Sequence, residues 1–149
     1  MPEQTSLTPR QRQDLRSIAA MIIPASAEYR VPGADDDLVQ ADILATLGRD
    51  TAPVAAALDH LARLAGMPLA ELDPAARDNV AKTFRAEGGG PAATLVRVVL
   101  QCYYRDDRVL RSLGLEARAP FPKGHVLEDG DWSLLDPVKA RARKMRQVS

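Results

Sequence analysis

Hydrophobic residues recur along this chain at helical spacing, and proline, glycine and small polar residues punctuate the runs. The first run follows Thr8-Pro9, where Leu15, Ile18, Ala19 and Ile22 repeat at i, i+3, i+4 and i+7 while Arg10, Arg12, Gln13 and Arg16 stand off the stripe. Proline is tolerated at the first helical position because the missing N–H has no intrahelical partner, so Thr8-Pro9 marks a start, and Pro24 predicts an end at Ile23. Residues 24–36 are too rich in proline and glycine for a helix and too apolar for a linker, and read as an ordered loop across the core.

A second helix is predicted over about Asp37 to Leu47, with Leu38, Ile43, Leu44 and Leu47 inward and Gly48 as its stop. Thr51 is the predicted cap of a third, whose stripe of Val54, Ala57, Leu58, Leu61 and Leu64 ends at Gly66. Asp73-Pro74 opens a fourth carrying Val80 and Phe84 to about Glu87, and Gly88-Gly89-Gly90 predicts a break. Pro91 then starts a segment, Ala92 to Tyr104, in which Leu95, Val96, Val98, Val99, Leu100, Cys102 and Tyr103 leave almost no polar face, the pattern of a central buried helix. Asp106 caps a short helix closed by Gly114, the stretch from Leu115 to Leu135 reads as irregular, and Asp136-Pro137 opens a short basic terminal helix. The expected fold is all-α: a compact single-domain bundle of about five to six helices over 1–115, with 116–149 as a long irregular C-terminal arm and short terminal helix of the same domain.

At 149 residues with 46% hydrophobic side chains, the chain is long enough to bury a core without staples, and its one cysteine, Cys102, forms no internal disulfide. Twenty basic and twenty acidic residues cancel, but not uniformly. Lys139, Arg141, Arg143, Lys144 and Arg146 face only Asp136 after residue 135, so a basic end follows a mildly acidic body. Cations near a helix C-terminus are favourable and solvated, and without interleaved aromatics this end gives no support to single-strand stacking; phosphate or an anionic surface met through these cations is the third and least favoured reading of the chain. No run approaches the length of a membrane span, and a helical pattern so near Met1 leaves no room for a signal peptide, so a cytoplasmic location is expected.

No catalytic or metal-binding constellation emerges from spacing. His60, His125 and Cys102 are too scattered for a zinc site. Asp35, Asp36 and Asp37 precede a helix and read as capping rather than calcium ligands, and Glu128, Asp129 and Asp131 around Gly130 read as a turn. Gly88-Gly89-Gly90 lacks the strand and the lysine of a phosphate loop. Cys102 lies in an apolar stretch that raises a thiol pKa and makes it inert. What stands out is placement: four of six aromatics, Tyr103, Tyr104, Phe121 and Trp132, fall in or beside the irregular arm. Such side chains bury either against their own helices or as anchors in a partner.

Two stretches carry a family resemblance. Leu7-Thr8-Pro9-Arg10-Gln11-Arg12 through Arg16-Ser17-Ile18-Ala19 to Ile22-Ile23-Pro24-Ala25, then Pro32-Gly33-Ala34, is one; Tyr103-Tyr104-Arg105-Asp106-Asp107-Arg108-Val109 with Leu113-Gly114, then Phe121-Pro122-Lys123-Gly124 and Trp132 to Val138, is the other. In order and spacing they resemble the gluconate 2-dehydrogenase subunit 3 family over nearly the whole chain, the middle helices matching in pattern alone. The resemblance implies a non-catalytic helical subunit, itself without cofactor, that stabilises a large FAD-dependent sugar or alcohol dehydrogenase of the glucose-methanol-choline type. It also implies a twin-arginine export signal, which this sequence lacks, so periplasmic residence would follow only from export with the partner. On this reading residues 103–138 supply much of the contact, with Tyr103, Tyr104, Phe121, Pro122, Lys123, Trp132 and Leu135, together with Arg141, as the partner-binding candidates. The alternative is a free-standing helical enzyme or small-molecule-binding protein with a pocket between helices.

Overall fold

A computed structural model describes residues 6–117 and 129–141. The chain divides into two compact units, Met1–Arg118 and Ala119–Ser149. Six α-helices make the first: α1 (Pro9–Ile22), α2 (Asp37–Thr46), α3 (Thr51–Ala65), α4 (Pro74–Glu87), α5 (Gly89–Tyr103) and α6 (Asp107–Ser112), with 3₁₀ turns at Gly48–Asp50 and Leu69–Glu71. The architecture is all-α and compact. Among the described residues there is no β-strand, only one antiparallel bridge between Ser26 and Val31.

Helix starts follow local chemistry. Thr8 accepts from the Gln11 N–H while the Gln11 side chain accepts from the Thr8 N–H, a reciprocal box that satisfies two otherwise orphaned donors ahead of Pro9. Asp36, Asp73 and Asp106 each accept a backbone N–H at the start of α2, α4 and α6. Thr51 differs from its predicted role: it is the first residue of α3, and its hydroxyl donates to the Gly48 carbonyl, which closes the preceding turn. Gly66 ends α3 at φ +70°, a left-handed conformation that residues with a side chain rarely adopt.

The centre is the pair α3 and α5, as the hydropathy of α5 suggested, and α5 packs against each of α1 to α4. Val54, Ala57, Leu58 and Leu61 are fully buried, and α3 packs against α1, α4 and α5. Helix α5 buries Ala92, Leu95, Val98, Val99, Cys102 and Tyr103 against these neighbours and leaves Ala93, Arg97 and Gln101 outward. Helix α2 turns the predicted Ile43, Leu44 and Leu47 inward and departs from the expectation at Leu38. Leu38 is 65% exposed, whereas Val39 and Gln40 are buried with Ile43. Buried Gln40 is tolerated because its side-chain amide donates to the Ala34 carbonyl at 2.8 Å, which fixes the loop ahead of α2.

One buried charge joins distant parts of the bundle. Asp14 on α1 accepts from the backbone N–H of Leu69 at 3.0 Å and from Arg10 at 3.4 Å. In the second unit, Asp131 accepts from the Ser133 N–H and starts a 3₁₀ turn, Trp132–Leu135, that runs into α7 (Asp136–Lys139).

Candidate docking surfaces

Packing α5 by one face has a consequence on the other. Ala93, Val96 and Leu100 form a second apolar stripe, and α1 and α4 border it with Ile18, Met21, Ile22 and Ala81. Together they line an open groove of about 890 Å³. Its polar side chains, Asp78, Lys82, Arg85, Arg97 and Gln101, are all exposed and so sit at the rim, leaving the floor apolar. The ends of α4 and α5 are held together at Gly88, where an added Cβ would lie 2.6 Å from the Phe84 carbonyl oxygen and against Ala92.

The second apolar surface lies in the other unit. Trp132 is 71% and Leu134 74% exposed, and Leu135 and Val138 are exposed beside them within two short turns. Of the partner-binding candidates, Trp132 and Leu135 thus share one turn, and Arg141 follows α7 on exposed backbone. Tyr104 is exposed at the end of α5. Tyr103 is not a surface residue: it is 4% exposed, its hydroxyl donates to the Pro32 carbonyl at 3.1 Å, and its ring meets Tyr104 edge-on. That correction has a simple cause, since the residue closes the inner face of α5 one turn after Val99. Phe121, Pro122 and Lys123 lie outside the described residues.

Two polar clusters surround Tyr103 without forming a reactive centre. Arg108 bridges Asp36 at 2.7 Å and Asp106 at 2.8 Å, tying the N-terminal caps of α2 and α6 to each other. Its guanidinium hydrogen bonds hold both carboxyls below their ordinary range, and the two carboxylates in turn raise the Arg108 pKa. Arg105 bonds Asp42 at 2.6 Å and Thr46 at 2.9 Å, and the bond to Asp42 raises its pKa. Cys102 lies 3.6 Å from Thr46 Oγ1, but burial pushes its thiol pKa up, away from thiolate chemistry at neutral pH. Among the described residues no group of three or more His, Cys, Asp or Glu side chains is placed to hold a metal ion, and no helix is long and apolar enough to cross a membrane.

The groove residues were not singled out by sequence. The one signal for them was α5's lack of a polar face, which a buried central helix explains equally well. Set against protein-family profiles, curated proteins and solved structures, the chain matches none of them.

Proposed function

We propose that this chain is a non-catalytic accessory subunit that binds and stabilises a larger protein, an FAD-dependent sugar or alcohol dehydrogenase of the glucose-methanol-choline type. The observation that carries the docking role is the cluster of large apolar side chains in solvent at Trp132, Leu134, Leu135 and Val138. A contiguous exposed patch of this kind marks an interaction site, and tryptophan is a favoured anchor residue. The class of partner rests on the resemblance carried by the segments 7–34 and 103–138. Arg141, exposed in the same unit, suits the rim of such a contact; in the first unit Tyr104 is exposed, whereas Tyr103 is buried and holds the end of α5.

Affinity-tagged chain co-expressed with the FAD-dependent dehydrogenase of its own organism tests the reading. The expected result is a co-eluting large subunit with flavin absorbance, lost when Trp132, Leu134 and Val138 are all changed to serine. Failure of the wild-type pair to associate refutes the partner class. An undiminished complex with the triple variant refutes the role of the patch.

A further inference from the structure

We propose that the groove between α1, α4 and α5 seats an amphipathic helix of a partner protein, apolar where it enters the groove and acidic on the flank above Lys82 and Arg85. This rests on the docking role proposed above and deepens it, by naming a second contact and its chemistry. Helix α5 is apolar on two faces. Leu95, Val98 and Val99 satisfy one of them within the bundle, while exposed Ala93 and half-buried Val96 and Leu100 line the groove. A helix of this pattern is suited to cover on both sides.

The stripe has the dimensions of a helix seat. Gly89, Ala93, Val96 and Leu100 succeed one another at i, i+4, i+7 and i+11, a rise of about 16 Å, which matches the anchor spacing of a helix laid in a groove. A small-molecule site needs convergent polar groups within its walls to orient the ligand, and here every polar lining residue is out at the rim.

The rim selects the sign of the occupant. Arg97 is neutralised by Asp50 at 2.9 Å, but Lys82 and Arg85 have no ion-pair partner among the described residues, and Asp78 one turn away offsets only one of them. A second copy of the chain would bring Lys82 and Arg85 against a rim of the same sign. An acidic flank meets it favourably.

The probe is a pair of fluorescein-labelled 18-residue helical peptides with leucine at i, i+3, i+4 and i+7, one with glutamate and one with lysine along the same flank, titrated by anisotropy against the full chain. The glutamate peptide is expected to bind about tenfold more tightly than the lysine peptide, the size two exposed ion pairs supply. The double reversal Lys82→Glu/Arg85→Glu should invert that order, and Ala93→Glu, at an exposed position, should abolish binding of both with the helical circular dichroism unchanged. Equal affinity for the two peptides, or binding indifferent to Ala93→Glu, overturns the proposal. So does a wild-type homodimer that Ala93→Glu dissolves, or a lipid found on the purified chain by native mass spectrometry and absent from that variant. The two proposals fail separately. Groove binding without a flavoprotein complex removes the partner class alone, and a flavoprotein complex unaffected by both groove variants removes the helix seat alone.

Discussion

Replacing Asp14 with alanine removes the hydrogen-bond acceptor of the backbone N–H of Leu69, a residue with no exposed surface. A hydrogen bond to a charged group contributes about 1.5–3 kcal/mol, and leaving a buried donor unmade costs about 1–3 kcal/mol. The Arg10 contact adds little, because it is 3.4 Å long and the arginine is about half exposed. Losing the carboxylate also relieves its own desolvation, so the net loss is about 2–3 kcal/mol. For a domain of this size that lowers Tm by about 5–10 °C. Asp14→Asn keeps an acceptor oxygen in place and should lose about half as much, while Arg10→Ala should stay within about 0.5 kcal/mol of wild type. Urea unfolding followed by circular dichroism, with thermal melts beside it, measures all three. An alanine variant within about 0.5 kcal/mol of wild type, or an asparagine variant as unstable as alanine, would refute the assignment of Asp14 as the tie between α1 and the turn at Leu69.

Three further outcomes follow from the packing. Asp36 and Asp106 have folded pKa values below the ordinary 3.8, so the stability they contribute is present above that pH and is lost as pH falls through the folded values. Wild type should therefore exceed Arg108→Ala by about 1–2 kcal/mol from pH 5 to 7 and converge with it in acid, and a gap that widens below pH 4 in urea titrations would contradict this. Gly88→Ala should destabilise the chain by about 1–3 kcal/mol, read from the urea midpoint, because the new Cβ has no room beside Phe84 and Ala92. Cys102 should react with a disulfide reagent at pH 8 only after denaturation, since its thiol is both buried and harder to ionise; prompt labelling of the native chain would count against that.

Local chemistry made the helix boundaries legible. Thr8-Pro9, Asp73-Pro74, Gly66 and Gly114 act within one turn of themselves, so their roles can be read from neighbouring residues. The first turn of α2 was not legible in the same way, although Ile43, Leu44 and Leu47 lie inward as their spacing suggests. Leu38, Val39, Ile43 and Leu44 distribute apolar area around the helix, and the choice of Val39 over Leu38 is made by packing against α5, far along the chain. The same holds for Arg108 with Asp36 and for Asp14 with Leu69, pairs 72 and 55 residues apart in the chain with no local signature. Of the candidate contact residues, the exposure of Trp132 and Leu135 matches an aromatic and apolar surface, but Tyr103 continues the inner face of α5, and hydropathy alone does not separate it from Tyr104. The groove was invisible because a helix apolar all round signals burial without saying whether its own chain provides the cover.

Gly88 gives the groove a mechanical character. Its N–H donates to the Phe84 carbonyl as the last bond of α4, and its carbonyl accepts from the Ala92 N–H in the first turn of α5, so a single residue belongs to both hydrogen-bond ladders. Two of the three walls are consequently joined through this one residue, so a change at Gly88 is felt along both, whereas Met21 and Ile22 at the end of α1 can vary without disturbing that junction.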